Sequence, residues 1–176
     1  MDYEGKVLVF DAKHFCFSYT VLVKYAAMLR DEGLSARQIY EKLEEGLKKV
    51  RIIASFNTLE YLKKGGRISG SVSAIGNALG IKPIITITDG KVDVIKLDRG
   101  SKKAAAAVDE YISNCDIDLN MPFVCGYTGT DSKQMDEFME KYGKAYFGND
   151  IEELIVGTTV GSYAGPGAYA LGFFVK

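Results

Sequence analysis

The sequence has few of the residues on which metal and thiol chemistry usually depend. It contains one histidine and three cysteines, and Cys16, Cys115 and Cys125 are irregularly spaced, without a CxxC pair. Structural metal sites and disulfide frameworks use paired or clustered ligands, so we expect neither of them here. The composition predicts a reduced, cytoplasmic protein without a cofactor.

The chain also lacks a strong charge of either sign and a long apolar run. Its formal net charge is -1, which does not favour broad attraction to nucleic acid or to an anionic membrane. No apolar segment approaches the roughly 20 residues that a membrane-spanning helix needs. We therefore expect no nucleic-acid partner and no membrane span. The hydrophobic fraction of 47% is ample for a folded core.

Catalytic motifs are equally scarce. His14 lies between Lys13 and Phe15, close to Phe17, and such a histidine is more often packed than catalytic. The chain has no GxSxG, P-loop or dinucleotide-binding motif. Asp11 follows an apolar run, where an aspartate is equally typical of a functional site and of a turn. We do not expect an enzyme.

Hydrophobic spacing and turn residues predict alternating strands and helices. The predicted strands are residues 6–10, 50–56, 82–88, 91–97, 121–127, 151–159 and 169–175, and the predicted helices are 19–32, 35–47, 58–64, 73–79, 101–113 and 131–142. Ser35 with Gln38 resembles a capping box. Asp89 and Gly90, between two β-rich runs, predict a hairpin turn.

This alternation predicts an α/β (α+β) layered fold. The hairpin requires an antiparallel pair, so we expect a mixed sheet with helices packed on it. A boundary is expected near Val50, where one strand and two helices give way to a denser β pattern.

Residues 59–70, LEYLKKGGRISG, join a short helix to the next one. Gly65 and Gly66 can end the first helix, which places Arg67 on a bend. Ser69 precedes the second helix, whose first backbone N–H groups can bind an anion. The residues alone leave two interpretations open: a capped turn with a solvated arginine, or an anion site.

Residues 161–167, GSYAGPG, form a second glycine-rich segment. Ser162 and Tyr163 offer hydroxyls, and Pro166 restricts the backbone, so the segment is either a structural turn or a ligand loop. The apolar runs IKPIITI (81–87) and ALGFFV (170–175) either line a pocket or form the core, and apolar strands form cores more often.

Four separated segments resemble one known family. They are TLEYLKKGGRIS (58–69), AIGNALGIKPIITITDGKV (74–92), KLDRGSKKA (96–104) and VGTTVGSYAGPGAYALGFF (156–174). In this order they are similar to the DegV family, bacterial fatty-acid-binding proteins that present a lipid to a fatty acid kinase.

The resemblance implies an acyl chain in an apolar tunnel and a carboxylate at a head-group site. The head-group residues would be Arg67, Ser69, Tyr163, Gly165 and Gly167. The tunnel residues would be Ile84, Thr86, Leu171 and Phe173. The ligand would be a long-chain fatty acid and the partner a fatty acid kinase, which phosphorylates the carboxylate, so the protein itself would be a carrier.

The sequence departs from the family pattern in three places. DegV proteins usually carry roughly a hundred further N-terminal residues, the size of a domain. The resemblance therefore implies a C-terminal portion, in which residues 1–50 are a remnant of the first domain and 51–176 are the second domain. Tyr163 stands where the family commonly has a histidine, and it cannot carry a positive charge. Ser18 and Thr20 replace small glycines.

Two other functions stay open at this point. The chain can be a stand-alone interaction module that forms a homo-oligomer through apolar surface in residues 19–47. It can also be a small anion- or phosphate-binding enzyme that uses Arg67 and residues 165–167, here called the GPG loop, although it offers no general base beyond His14 and acidic residues.

Overall fold

The computed structural model describes residues 7–67 and 80–176. Its elements are α1 (Cys16–Asp31), α2 (Ala36–Leu47), β1 (Val50–Ser55), α3 (Glu60–Lys64), β2 (Ile81–Thr88), β3 (Lys91–Arg99), α4 (Ser101–Ser113), β4 (Val124–Tyr127), α5 (Lys133–Phe138), a π-helix (Met139–Gly143), α6 (Lys144–Phe147), β5 (Glu152–Ile155), α7 (Thr158–Ala164) and β6 (Tyr169–Phe174).

The described strands form one six-stranded sheet in the order β3-β2-β1-β6-β4-β5. Neighbouring strands are antiparallel except for the parallel pair β4 and β5. The β2–β3 hairpin turns at Asp89 and Gly90, whose φ angles of 48° and 76° are the positive values that a tight two-residue turn requires. The predicted mixed sheet with an antiparallel hairpin is confirmed.

Several predicted helix ends are also confirmed. The Ser35 side chain accepts from the backbone N–H of Gln38, and the Gln38 side chain accepts from the backbone of Ser35, which is the predicted capping box at the start of α2. Helix α4 spans the thirteen residues that its apolar spacing predicts. Local sequence signals therefore determine these ends.

The sheet separates two hydrophobic clusters, because successive side chains on a strand point to opposite faces. On the face covered by α1, here called the α1 face, Ile85 and Ile87 pack with Phe17 of that helix. On the opposite face, here called the α4 face, Ile84 packs with Val108 of α4. Both sides of the sheet are therefore core.

Residues from both sides of the predicted boundary at residue 50 share the α1-face cluster. Phe17 and Val21 of α1 belong to the same buried cluster as Ala54 and Ile85 of the sheet. Helix α1 thus packs directly against strands of the segment that follows the boundary. The division into residues 1–50 and 51–176 stays a prediction.

The predicted strand at residues 6–10 is wrong over the four residues that the structure describes. Residues 7–10 are irregular, and Val7 and Val9 are 59% and 83% exposed. A strand needs a neighbour for its backbone N–H and C=O groups, and no described strand pairs with this segment. Apolar composition alone therefore gave a wrong prediction.

Two further predicted elements have different bounds in the structure, and a third lies outside the described residues. The predicted helix 131–142 is divided into α5 and a π-helix, which hydrophobic spacing does not reveal. The predicted strand 151–159 ends at Ile155, and residues 158–164 form α7 because that helix packs on α3. The predicted helix 73–79 lies outside the described residues.

Candidate functional site

A groove of about 600 Å³ opens on the α1 face between α3, α7 and the β2–β3 hairpin. We call it the α3–α7 groove. Its lining residues are Phe15, Phe56, Leu62, Gly66, Arg67, Ile85, Gly90, Lys91, Val92, Thr159, Val160, Tyr163 and Ala164. The volume lies within the range of about 300–1,000 Å³ that is usual for small-molecule sites, and the lining is mostly apolar.

The end of α3 places Arg67 in the groove. Gly66 has a φ of 65°, in the left-handed region that favours glycine. The N–H of Gly66 donates to the carbonyl of Lys63 over 3.0 Å, and the N–H of Arg67 donates to the carbonyl of Leu62 over 2.9 Å. These two bonds form a Schellman motif, so the glycine pair ends the helix as the sequence predicts.

The structure brings together Arg67 and Tyr163, two of the predicted head-group residues. The guanidinium carbon of Arg67 lies 4.8 Å from the centroid of the Tyr163 ring. One guanidinium nitrogen, Nη1, donates to the carbonyl of Gly65 over 2.9 Å. Arg67 remains exposed, and within residues 7–67 and 80–176 its side chain makes no other hydrogen bond, so a carboxylate at the groove can accept two parallel hydrogen bonds from it.

Gly165 and Gly167 shape the loop behind this pair and do not line the groove. Gly165 has a φ of 74°, and a Cβ there would lie 2.2 Å from the Tyr61 ring. The buried Thr128 hydroxyl donates to the carbonyl of Gly165 and accepts from the N–H of Ala168 over 2.9 Å. Thr128 was not a predicted site residue; its only sequence signal is the TGT run after β4.

A second polar network fixes the other side of the same loop. Lys82 Nζ donates to Asn57 Oδ1 and, over 3.2 Å, to Gln134 Oε1. The Asn57 amide donates to the carbonyl of Pro166 over 2.9 Å, and the Gln134 amide donates to that of Gly167 over 3.0 Å. The lysine thereby orients both amides toward the loop. Residues so far apart in the sequence carry no signal that predicts this network.

Lys82 has no carboxylate partner among the ion pairs of the described residues. Partial burial lowers the pKa of its ammonium group. The two amide oxygens are neutral, so they offset this desolvation less than a carboxylate would. The lysine is therefore retained at some energetic cost next to the GPG loop.

Lys82→Met should loosen the GPG loop, because it removes two charge-assisted hydrogen bonds and frees both amides to turn. We expect a loss of about 1 kcal/mol in the free energy of unfolding, after allowance for partial exposure. Urea denaturation gives that value, and hydrogen exchange at residue 168 reports on the loop. Lys103→Met, an exposed position on α4, is the matched control. Equal stability and exchange in the two variants would remove Lys82 from this role.

The predicted tunnel residues lie elsewhere. Ile84, Leu171 and Phe173 are fully buried in the α4-face cluster, and the Thr86 hydroxyl donates to the carbonyl of Ile52 over 2.8 Å. None of the four lines the α3–α7 groove. Because strand side chains alternate, the next residue, Ile85, faces the groove instead. The structure therefore does not bring these four residues to Arg67.

Ser69, the remaining predicted head-group residue, lies outside the described residues.

Burial raises the pKa of the Cys16 thiol to about 11 and that of Cys125 to about 12, so both stay protonated near neutral pH. Within residues 7–67 and 80–176, no three histidine, cysteine or acidic side chains cluster as a metal site, and none of the helices is long and apolar enough to cross a membrane.

Comparison with known proteins identifies the family. The DegV family, described as uncharacterised proteins, matches residues 1–176. The chain belongs to the DegV family. A DegV domain-containing protein from Caldanaerobacter subterraneus subsp. tengcongensis is 34% identical over 98% of this chain and 62% of its own length.

Solved DegV structures share the fold. The fatty acid binding DegV family protein from Streptococcus agalactiae is 26% identical, with a TM-score of 0.77 over 99% of this chain and 62% of that one. The Streptococcus pneumoniae fatty acid kinase B3 protein, loaded with linoleic acid, has a TM-score of 0.85 over 97% of this chain and 60% of that one. At 21% identity, the second likeness supports the fold alone.

The chain spans about three-fifths of the length of these DegV relatives. Family membership and fold, as predicted from the four sequence segments, are confirmed. That the chain is a C-terminal portion lacking most of a first domain stays a prediction.

Proposed function

We propose that this DegV protein binds a long-chain fatty acid, with the acyl chain in the α3–α7 groove and the carboxylate at Arg67. The observation that carries the proposal is a mostly apolar groove with an exposed arginine in its lining. The fatty acid binding described for the Streptococcus agalactiae relative supports it.

The groove offers a fatty acid apolar surface for its acyl chain and hydrogen-bond donors for its carboxylate. Each methylene removed from water contributes about 0.8 kcal/mol, and side chains such as Phe15, Phe56 and Val160 offer apolar surface for that purpose. A carboxylate that leaves water needs hydrogen-bond donors to offset its desolvation. The guanidinium of Arg67 supplies them in a planar pair.

We further propose that the protein is a carrier whose bound carboxylate is phosphorylated by a separate fatty acid kinase. We take the kind of partner from the resemblance to the DegV family, and the Streptococcus pneumoniae protein of the same fold is described as a fatty acid kinase B3 protein. Arg67 is exposed, so a carboxylate held there would lie within reach of a partner enzyme. Cytoplasmic location is part of the same proposal.

Lipid occupancy tests the proposal. The purified 176-residue chain, delipidated and mixed with palmitate, should show one bound fatty acid per chain by native mass spectrometry and by lipid extraction. Val160→Trp should reduce loading severalfold, because the larger ring fills the groove that Val160 lines. Val23→Trp, at a 50% exposed position on α1, is the matched control and should load normally. If no fatty acid is bound and none can be loaded, the proposal fails.

A second candidate function is a homo-oligomeric interaction module without lipid binding. It is favoured by large apolar side chains exposed on α1: Tyr19 and Val23 at 50% and Met28 at 39%. Under this alternative, sedimentation velocity should show dimers or larger species that Val23→Glu dissociates. A monomer at high concentration would exclude the alternative.

A further inference from the structure

A second cavity, of about 400 Å³, lies between the α2–β1 turn, the end of β2 and the segment before α1. Four of its lining side chains are basic (Lys13, His14, Lys48 and Arg51) and one, Asp89, is acidic. We call it the basic cavity. It shares no lining residue with the α3–α7 groove.

The cations of the basic cavity form no ion pairs within residues 7–67 and 80–176. They are Lys13, Lys48 and Arg51. These three cations outnumber Asp89, the acidic residue of the lining, so they repel one another, and a bound anion relieves that repulsion.

Arg51 is held in place by the backbone. Its Nη1 donates to the carbonyl of Lys48 over 2.9 Å and to that of Val50 over 2.8 Å. Its other guanidinium nitrogens make no hydrogen bond within residues 7–67 and 80–176. A guanidinium fixed at one nitrogen with others free is preorganised for an oxyanion.

His14 supplies a second observation on the wall of the same cavity. Its Nδ1 atom is buried and has no hydrogen-bond partner among the described residues, although buried polar atoms nearly always have one. Burial and the charge of Arg51 lower the pKa of the His14 imidazole. An anion bound in the cavity would raise this pKa, because a nearby negative charge stabilises the protonated imidazole.

The backbone next to His14 is held in an uncommon conformation. Lys13 has a φ of 48°, in the left-handed region that non-glycine residues seldom adopt. Its N–H donates over 3.0 Å to Oδ1 of Asp11, which stabilises the bend. Strained residues of this kind concentrate at binding sites, and this one places Lys13 and His14 together on the wall of the cavity.

We propose that the basic cavity binds a small phosphate-bearing molecule, whose phosphoryl oxygens accept hydrogen bonds from Arg51 close to the His14 ring. Lys13 and Lys48 add positive charge at the mouth, where both are exposed. The cavity is large enough for a phosphoryl group with a small organic substituent, and Leu47 lies among the lining residues as an apolar surface for that substituent. This inference is independent of the fatty acid site.

The sole histidine of the chain makes the test specific, because the ring-proton NMR signals of His14 need no assignment among several. Inorganic phosphate and then phenyl phosphate are titrated into the protein at constant ionic strength. We expect saturable shifts of the His14 signals and at least about fivefold tighter binding of phenyl phosphate, whose ring buries apolar surface. A pH titration in saturating sulfate, which stays a dianion, should show a raised His14 pKa.

Two variants distinguish phosphate binding in the basic cavity from nonspecific attraction to positive charge on the protein surface. Lys48→Gln should weaken phosphate binding about fivefold through loss of one partly screened charge, whereas Lys103→Gln on α4 should leave it unchanged. Palmitate loading of Lys48→Gln should equal that of the wild type, so failure here and failure of the lipid proposal are distinguishable. Shifts that never saturate, or that are the same in both variants, would overturn the inference.

Discussion

Arg67→Met should lower the affinity of the protein for palmitate about 30-fold. The substitution keeps apolar bulk but removes the charged donors that offset desolvation of the carboxylate, a loss of about 2 kcal/mol. Isothermal titration with the delipidated protein measures the change. The palmitate affinity of Arg67→Lys should fall between those of the wild type and Arg67→Met, because lysine keeps the charge and loses the planar pair of donors.

The ligand provides the control for Arg67. Methyl palmitate has the same acyl chain and no charge, so its affinity should differ little between the wild type and Arg67→Met. A loss of equal size for the acid and the ester would mean that the substitution disturbs the groove and not the head-group contact. An unchanged palmitate affinity would remove Arg67 from the site.

Gly126→Ala should destabilise the fold by about 3 kcal/mol or more, which is at the upper end for an overpacked core position. Gly126 pairs with Leu154 of β5 and with Ala170 of β6. A Cβ at residue 126 would lie 1.9 Å from the carbonyl oxygen of Leu154 and 2.5 Å from the Phe17 ring. The nearest atom belongs to a neighbouring backbone, so the strands themselves must shift. Urea denaturation monitored by circular dichroism measures the loss.

Gly161→Ala is the matched control for this substitution. Residue 161 lies within α7, where the nearest atom to an added Cβ is 3.9 Å away. Alanine is the better helix former, so the same change should leave stability unaltered or raise it by about 0.5–1 kcal/mol. If Gly126→Ala were as stable as Gly161→Ala, the tight packing of β4 between β5 and β6 would be incorrect.

The elements that the sequence predicts well are those with local signals. Asp89 and Gly90 determine the hairpin, Ser35 and Gln38 determine the start of α2, and Gly66 determines the end of α3. Each depends on a few neighbouring residues with a particular backbone geometry. The Schellman motif even places Arg67, because the bend follows directly from the glycine that causes it.

The parts that sequence does not predict depend on tertiary contacts. Alternation along β2 shows that Ile84 and Ile85 point in opposite directions, but not which of them faces the groove. Residues 158 and 159 end the predicted strand 151–159, but in the structure they begin α7, which packs against α3. Lys82 and Gln134 meet at the GPG loop from positions 52 residues apart, and no spacing rule connects them.

The central claim is that the acyl chain lies in the α3–α7 groove, and photolabelling tests it most directly. A palmitate analogue with a diazirine at its methyl end is bound, irradiated and mapped by peptide mass spectrometry. We expect labelling of groove residues such as Ile85, Val92 or Val160, abolished by excess palmitate and much reduced in Arg67→Met. Palmitate-sensitive labelling of α4 or α5, on the α4 face of the sheet, would contradict the account.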